Sequence, residues 1–77
     1  MKSIPEIESV IIKGEYLIIQ SGGREYRFRV RELSGRLSSA TEEEILDYEV
    51  SATGYGIHWR KIDEDISLVA LLEKKAV

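Results

Sequence analysis

A single stretch, Ser51 to Ser67 (S-A-T-G-Y-G-I-H-W-R-K-I-D-E-D-I-S), narrows the folds open to this chain more than any other. It holds the only Trp, the only His and a tight acidic triplet. Gly54-Tyr55-Gly56 is a turn signal, and Val50-Ser51-Ala52 and Ile57-His58-Trp59 on either side are short strand candidates. Together they read as a β-hairpin with a loop of several residues. If Trp59 faces the core, alternation puts Ile57 on the same face and His58 on the other. The buried indole N–H then needs an acceptor. Ile62 and Ile66 flank Asp63-Glu64-Asp65, and Asp65 or Ser67 can N-cap a short helix from Leu68 to about Lys75.

The chain before this stretch reads as its scaffold. Residues 7–13 are a β-branched run ending at Gly14, and residues 15–20 are a second run. Ser21-Gly22-Gly23 then marks a tight turn, because paired glycines accept the positive φ that a primed turn requires. Residues 24–30 form the cleanest strand, with Tyr26, Phe28 and Val30 alternating with Glu25, Arg27 and Arg29. Three strands joined by short turns make an antiparallel meander. The consecutive apolar residues of the first two strands imply cover on both faces, or a face that meets a partner. Residues 31–37 read as a polar connector anchored by Leu33 and Leu37. Thr41 and Glu44 fit a capping box, which predicts a helix of about two turns with Ile45, Leu46 and Tyr48 inward, joined by Ala40 or Leu37. A strand follows near Tyr48. The expected fold class is α+β: a small antiparallel sheet built from a three-stranded meander, a short helix, a β-hairpin and a short C-terminal helix, in a single domain over residues 1–77. Residues 1–5 and 74–77 are the candidates for disorder.

Composition bounds the function. A chain of 77 residues is near the size at which one core is only just sufficient, so self-association would matter to its stability. Charged residues at 32% and hydrophobic ones at 43% fit a globular domain rather than a disordered one. A net charge of −3 gives no overall field to draw in nucleic acid or an anionic membrane. The lack of cysteine excludes disulfides and thiol chemistry and fits a reducing cytoplasm. The first residues lack the apolar segment of a secretory signal, and no apolar run approaches membrane-spanning length.

The ending of the chain, G-Y-G-I-H-W at 54–59 followed by I-D-E-D-I-S at 62–67 and Leu71-Leu72, resembles the domain-of-unknown-function family DUF2442. Tyr16-Leu17, the Gly-Gly turn and the alternating strand after it are similar to the family's first half. Arg60 departs from the pattern, standing where many relatives have proline after the tryptophan. The resemblance implies a compact α+β domain with a small antiparallel sheet. It also implies gene neighbourhoods in which another small protein is encoded alongside, an arrangement similar to toxin–antitoxin pairs. Some relatives carry an appended helix-turn-helix, for which this chain has no room. The resemblance supplies no catalytic residues.

Several residue groups are candidate sites. Arg27, Arg29 and Arg31, with Arg24 nearby, are expected to project from one strand face, where a row of guanidiniums can bind phosphate or an acidic protein. The bland alternative is a solvated face paired with Glu8, Glu15 or Glu25. His58 can act as base or ligand only with partners, and otherwise packs beside Tyr55 or bonds an acid. Asp63-Glu64-Asp65 suits a hard cation by donor type, but adjacent acids diverge, and helix capping explains them as well. Glu42, Glu43, Glu44 and Asp47 make an acidic helix face that could meet the arginine face of a second copy. The expectation is therefore a non-enzymatic interaction module without metal or cofactor, binding a small protein or itself. Its candidate contact residues are Arg27, Arg29, Arg31, His58 and Tyr55. The alternative is a nucleic-acid-binding accessory protein using Arg27, Arg29 and Arg31. A small enzyme built on His58 with Asp63 or Asp65 ranks last, since so short a chain offers little concave volume.

Overall fold

Strand alternation and two tight turns build the first half of the computed structural model, which describes residues 5–75. Strands β1 (Ile7–Lys13), β2 (Tyr16–Ser21) and β3 (Arg24–Arg29) pair antiparallel in the order β1-β2-β3. Gly22 and Gly23 both have positive φ, 60° and 75°, which closes the two-residue hairpin between β2 and β3. Leu17, Ile19 and Phe28 line the inner face and are buried. The segment leading into β1 is tied to the sheet by buried Ser21, whose hydroxyl lies 3.0 and 3.1 Å from the carbonyls of Glu6 and Pro5.

The strand expected to run to residue 30 stops one residue earlier. Val30 begins a 3-10 turn, Val30–Glu32, and turns its side chain into the core. The polar connector also contains a helix, α1 (Gly35–Ser39), whose N-cap Ser34 accepts the Leu37 N–H at 3.2 Å. Five residues are too few to display helical periodicity, so only the cap and buried Leu37 marked it. Helix α2 (Glu42–Leu46) has the expected capping box, Thr41 with Glu44, and buries Ile45. Leu46 is instead 52% exposed. Successive helical residues point about 100° apart, and α2 turns Ile45 to the core and Leu46 to solvent.

The expected hairpin is the first part of a second three-stranded sheet, β4 (Tyr48–Val50), β5 (Gly56–Trp59) and β6 (Glu64–Ser67), in that order. Strand β6 replaces the expected cap region. Ile62 closes a 3-10 turn, Arg60–Ile62, while Ile66 pairs across from Ile57. Their four-residue spacing is therefore not helical. Asp63 sits in the left-handed region (φ 51°) and reverses the chain between the turn and β6. Helix α3 (Leu68–Lys75) follows, and Ser67 accepts the Ala70 N–H at 3.1 Å as expected of a cap. Of the expected disordered ends, residues 1–4 and 76–77 lie outside the described range.

The core lies between the sheets and helices. Trp59 is fully buried with Ile57, Leu37, Ile45, Leu68 and Leu71 around it, and its indole N–H donates to the Ile45 carbonyl at 2.9 Å. The Ile7 N–H donates to the Gly54 carbonyl at 2.8 Å, and the Tyr48 hydroxyl donates to the Val10 carbonyl at 3.1 Å, so the two sheets are joined by polar as well as apolar contacts. Among the described residues no helix is long and apolar enough to cross a membrane.

Candidate functional site

The register of the first sheet sets nine side chains in three cross-strand rows on its outer face. Ser9, Gln20 and Glu25 form one row, Ile11, Ile18 and Arg27 the next, and Lys13, Tyr16 and Arg29 the third. Because Leu17 and Ile19 face the core, alternation obliges Tyr16, Ile18 and Gln20 to face out. Ile18 lies beneath its neighbours, only 9% exposed, while Ile11 is 51% and Tyr16 37% exposed. A hollow of about 450 Å³ lies over this grid. Ile11, Ile18 and Tyr16 line it together with Lys13, Arg27, Glu25, Gln20 and Ser9.

The cations on this face are not equivalent. Arg27 Nε lies 3.0 Å from Glu25. Arg29 lies over the Tyr16 ring, 5.7 Å from its centroid, and 3.7 Å from Glu15. Among the described residues Lys13 has no carboxylate within ion-pair distance. Arg31 does not belong to the row. The chain leaves the strand at Val30, and the Arg31 guanidinium donates to the carbonyls of Ala40 (2.6 Å), Ser38 (3.3 Å) and Leu37 (3.5 Å). It satisfies the carbonyl end of α1, a role in which cations are favoured. Arg36 is used similarly, donating to the carbonyls of Asp63 (2.6 Å) and Ile62 (3.1 Å).

The second sheet places the remaining candidates elsewhere. His58 stands between Glu49 and Asp65 in a cross-strand row, with its Nδ1 2.8 Å from Asp65. Tyr55 is 40% exposed in the hairpin loop, and its carbonyl accepts the Leu68 N–H at 2.7 Å. Neither lines the hollow over the first sheet. The acidic triplet is split: Asp63 turns the chain, and Glu64 and Asp65, adjacent on β6, point to opposite faces. Among the described residues no group of three or more His, Asp or Glu side chains is placed to hold a metal ion.

The acidic face of α2 is largely occupied within the molecule. Lys61 Nζ lies 2.8 Å from Glu43 and Arg60 2.7 Å from Asp47, while Glu44 completes the capping box. The hydrogen bond from Lys61, then its charge, holds the Glu43 carboxyl below the usual carboxylate range, and the hydrogen bond from Arg60 does the same for Asp47. The Arg60 and Lys61 values are raised in turn, chiefly by those same hydrogen bonds.

Residues 7–76 match the family model described as "Protein of unknown function (DUF2442)". The chain belongs to the DUF2442 family. The fold of this DUF2442 domain is similar to the 2.75 Å crystal structure of a protein of unknown function from Rhodospirillum rubrum. The TM-score is 0.80 at 26% identity, over 91% of this chain and 87% of that one. No curated protein matches the domain. Neither description assigns an activity.

The sequence showed the apolar runs that supply Ile11 and Ile18 but not which members face out. That depends on register, because a slip of one residue turns a strand over. The recruitment of Arg31 and Arg36 as carbonyl donors had no sequence signal, since it depends on where distant segments pass.

Proposed function

We propose that the domain is a non-enzymatic interaction module that docks a small protein on the outer face of its first sheet, in an antitoxin-like or regulatory role. The observation that carries this reading is the apolar strip of Ile11, Ile18 and Tyr16, with Ile11 half exposed and Lys13, Arg27 and Arg29 around it. An exposed β-branched residue two positions from Lys13 on β1, on a face that also carries Arg27 and Arg29, suits a partner segment that offers an apolar side chain between carboxylates. The gene neighbourhoods implied by the family resemblance supply the candidate partner, the small protein encoded alongside. His58, with its Nδ1 2.8 Å from Asp65, lies on the second sheet and takes no part in this docking face. The cysteine-free composition fits a reducing cytoplasm as its setting.

The test is co-expression with the product of the adjacent gene. Co-elution that is lost in Ile11→Asp and in Lys13→Glu, with circular dichroism unchanged, supports the reading. Absence of co-elution, or co-elution indifferent to both substitutions, defeats it. Nucleic-acid binding through Arg27 and Arg29 is the rival. It would appear as a salt-sensitive oligonucleotide shift abolished by Arg27→Glu with Arg29→Glu.

A further inference from the structure

The two edges of the first sheet differ. At the β1 edge the Gly54 carbonyl accepts the Ile7 N–H, the Tyr48 hydroxyl donates to the Val10 carbonyl, and the register slips between Ile7 and Ser9. A bulge and covering groups of this kind block further pairing. The β3 edge is different. The Val30 N–H donates to the Glu15 carbonyl at 3.0 Å, which shows that even-numbered residues of this strand direct their main chain toward β2. In an antiparallel pair the direction alternates, so Glu25, Arg27 and Arg29 turn their N–H and C=O groups outward. Among the described residues no other segment bonds those groups.

We infer that β3 pairs antiparallel with the β3 of a second copy about a two-fold axis through Tyr26, making one continuous sheet across both molecules. Side-chain charge selects the register. With Tyr26 opposite its own copy, Glu25 lies opposite Arg27 of the second copy, twice over by symmetry. Directly opposed charges of unlike sign stabilise such a pair, and like charges destabilise it. Sliding the strands to the next register of the same facing puts either Arg27 on Arg27 or Glu25 on Glu25. One alignment is therefore free of like-charge opposition and its neighbours are not. Within one copy, Arg27 already lies 3.0 Å from Glu25, so pairing exchanges an exposed local contact for two intermolecular ones and satisfies main-chain groups as well. This isologous contact closes as a dimer and does not propagate. The acidic face of α2 is not the partner, because Lys61 and Arg60 already hold Glu43 and Asp47.

Sedimentation equilibrium of the full chain tests this, as a mass rising with concentration from 8.8 kDa toward twice that. Glu25→Arg and Arg27→Glu should each weaken self-association by on the order of tenfold or more, since two attractive pairs become repulsive. The double exchange, Glu25→Arg with Arg27→Glu, should restore it. Arg27→Pro removes an outward N–H without touching the bonds to β2, and should give a folded monomer. A wild-type chain that stays monomeric at high concentration overturns the inference, as does a dimer indifferent to the single reversals or one not restored by the exchange. The outer-face reading is tested separately through Ile11 and Lys13, which lie on the opposite strand of the sheet.

Discussion

Trp59 shows how much one side chain carries in a small core. It is fully buried and its N–H is satisfied by the Ile45 carbonyl, the last buried residue of α2. Trp59→Ala should cost about 3–5 kcal/mol by loss of buried surface and the cavity left behind. Trp59→Phe keeps much of the packing but strands the Ile45 carbonyl, and should cost about 1–3 kcal/mol. Urea denaturation of both variants checks the order. The surface pairs respond to pH instead. Glu43 and Asp47 have lowered folded-state values, so their contribution is complete above the ordinary carboxylate range and drains away as pH falls through the folded values. Arg60 and Lys61 are raised, so their share is lost only at strongly alkaline pH. Urea midpoints measured across acidic pH should fall less steeply in Arg60→Ala with Lys61→Ala than in the wild type, and high salt should narrow the difference.

At the scale of elements, caps and turns do work that hydrophobic periodicity cannot. Helices α1 and α2 each have five residues, too short to persist on propensity. Their side-chain caps and one inward anchor apiece, Leu37 and Ile45, hold them in place. Thr41→Ala should destabilise by about 1 kcal/mol, and Ser34→Ala by a similar amount, read from thermal or urea unfolding. The β2–β3 turn permits a sharper comparison. A Cβ at Gly23 meets nothing within 4 Å, so Gly23→Ala should cost only the left-handed backbone penalty of about 1–2 kcal/mol. At Gly22 the added carbon would lie 2.8 Å from Pro5 Cγ, so Gly22→Ala should cost more. Equal losses at the two positions would mean that the Pro5 segment yields freely.

For the molecule as a whole, two small sheets share one core, and neither has enough buried surface to stand alone. Its shortest dimension is 19 Å, that of two packed layers. Such a domain gains from any surface that binds only the folded state. If β3 pairs between copies, the melting temperature should rise with protein concentration in the wild type and stay constant in Arg27→Glu. Scanning calorimetry over a wide concentration range makes that comparison. Pairing at the edge leaves the outer face uncovered, so two docking faces would lie side by side on one sheet and a bivalent partner could engage both.

The meander, the capping box, the hairpin with Trp59 and Ile57 inward, and the Ser67-capped final helix all follow from local chemistry. Alternation, paired glycines and cap spacing act over a few residues, and a linear chain displays them. Strand β6, helix α1 and the fate of Leu46 did not follow, because each depends on what stands opposite. Ile66 is a strand residue since Ile57 is there to pair with it, and Ser34 starts a helix since Leu37 finds a pocket. The same holds for the site: arginines 27, 29 and 31 are alike in sequence, but only the first two face outward. Arg31 meets the carbonyls of α1 because the chain turns at Val30, which brings its guanidinium to main-chain acceptors left open at the end of that helix.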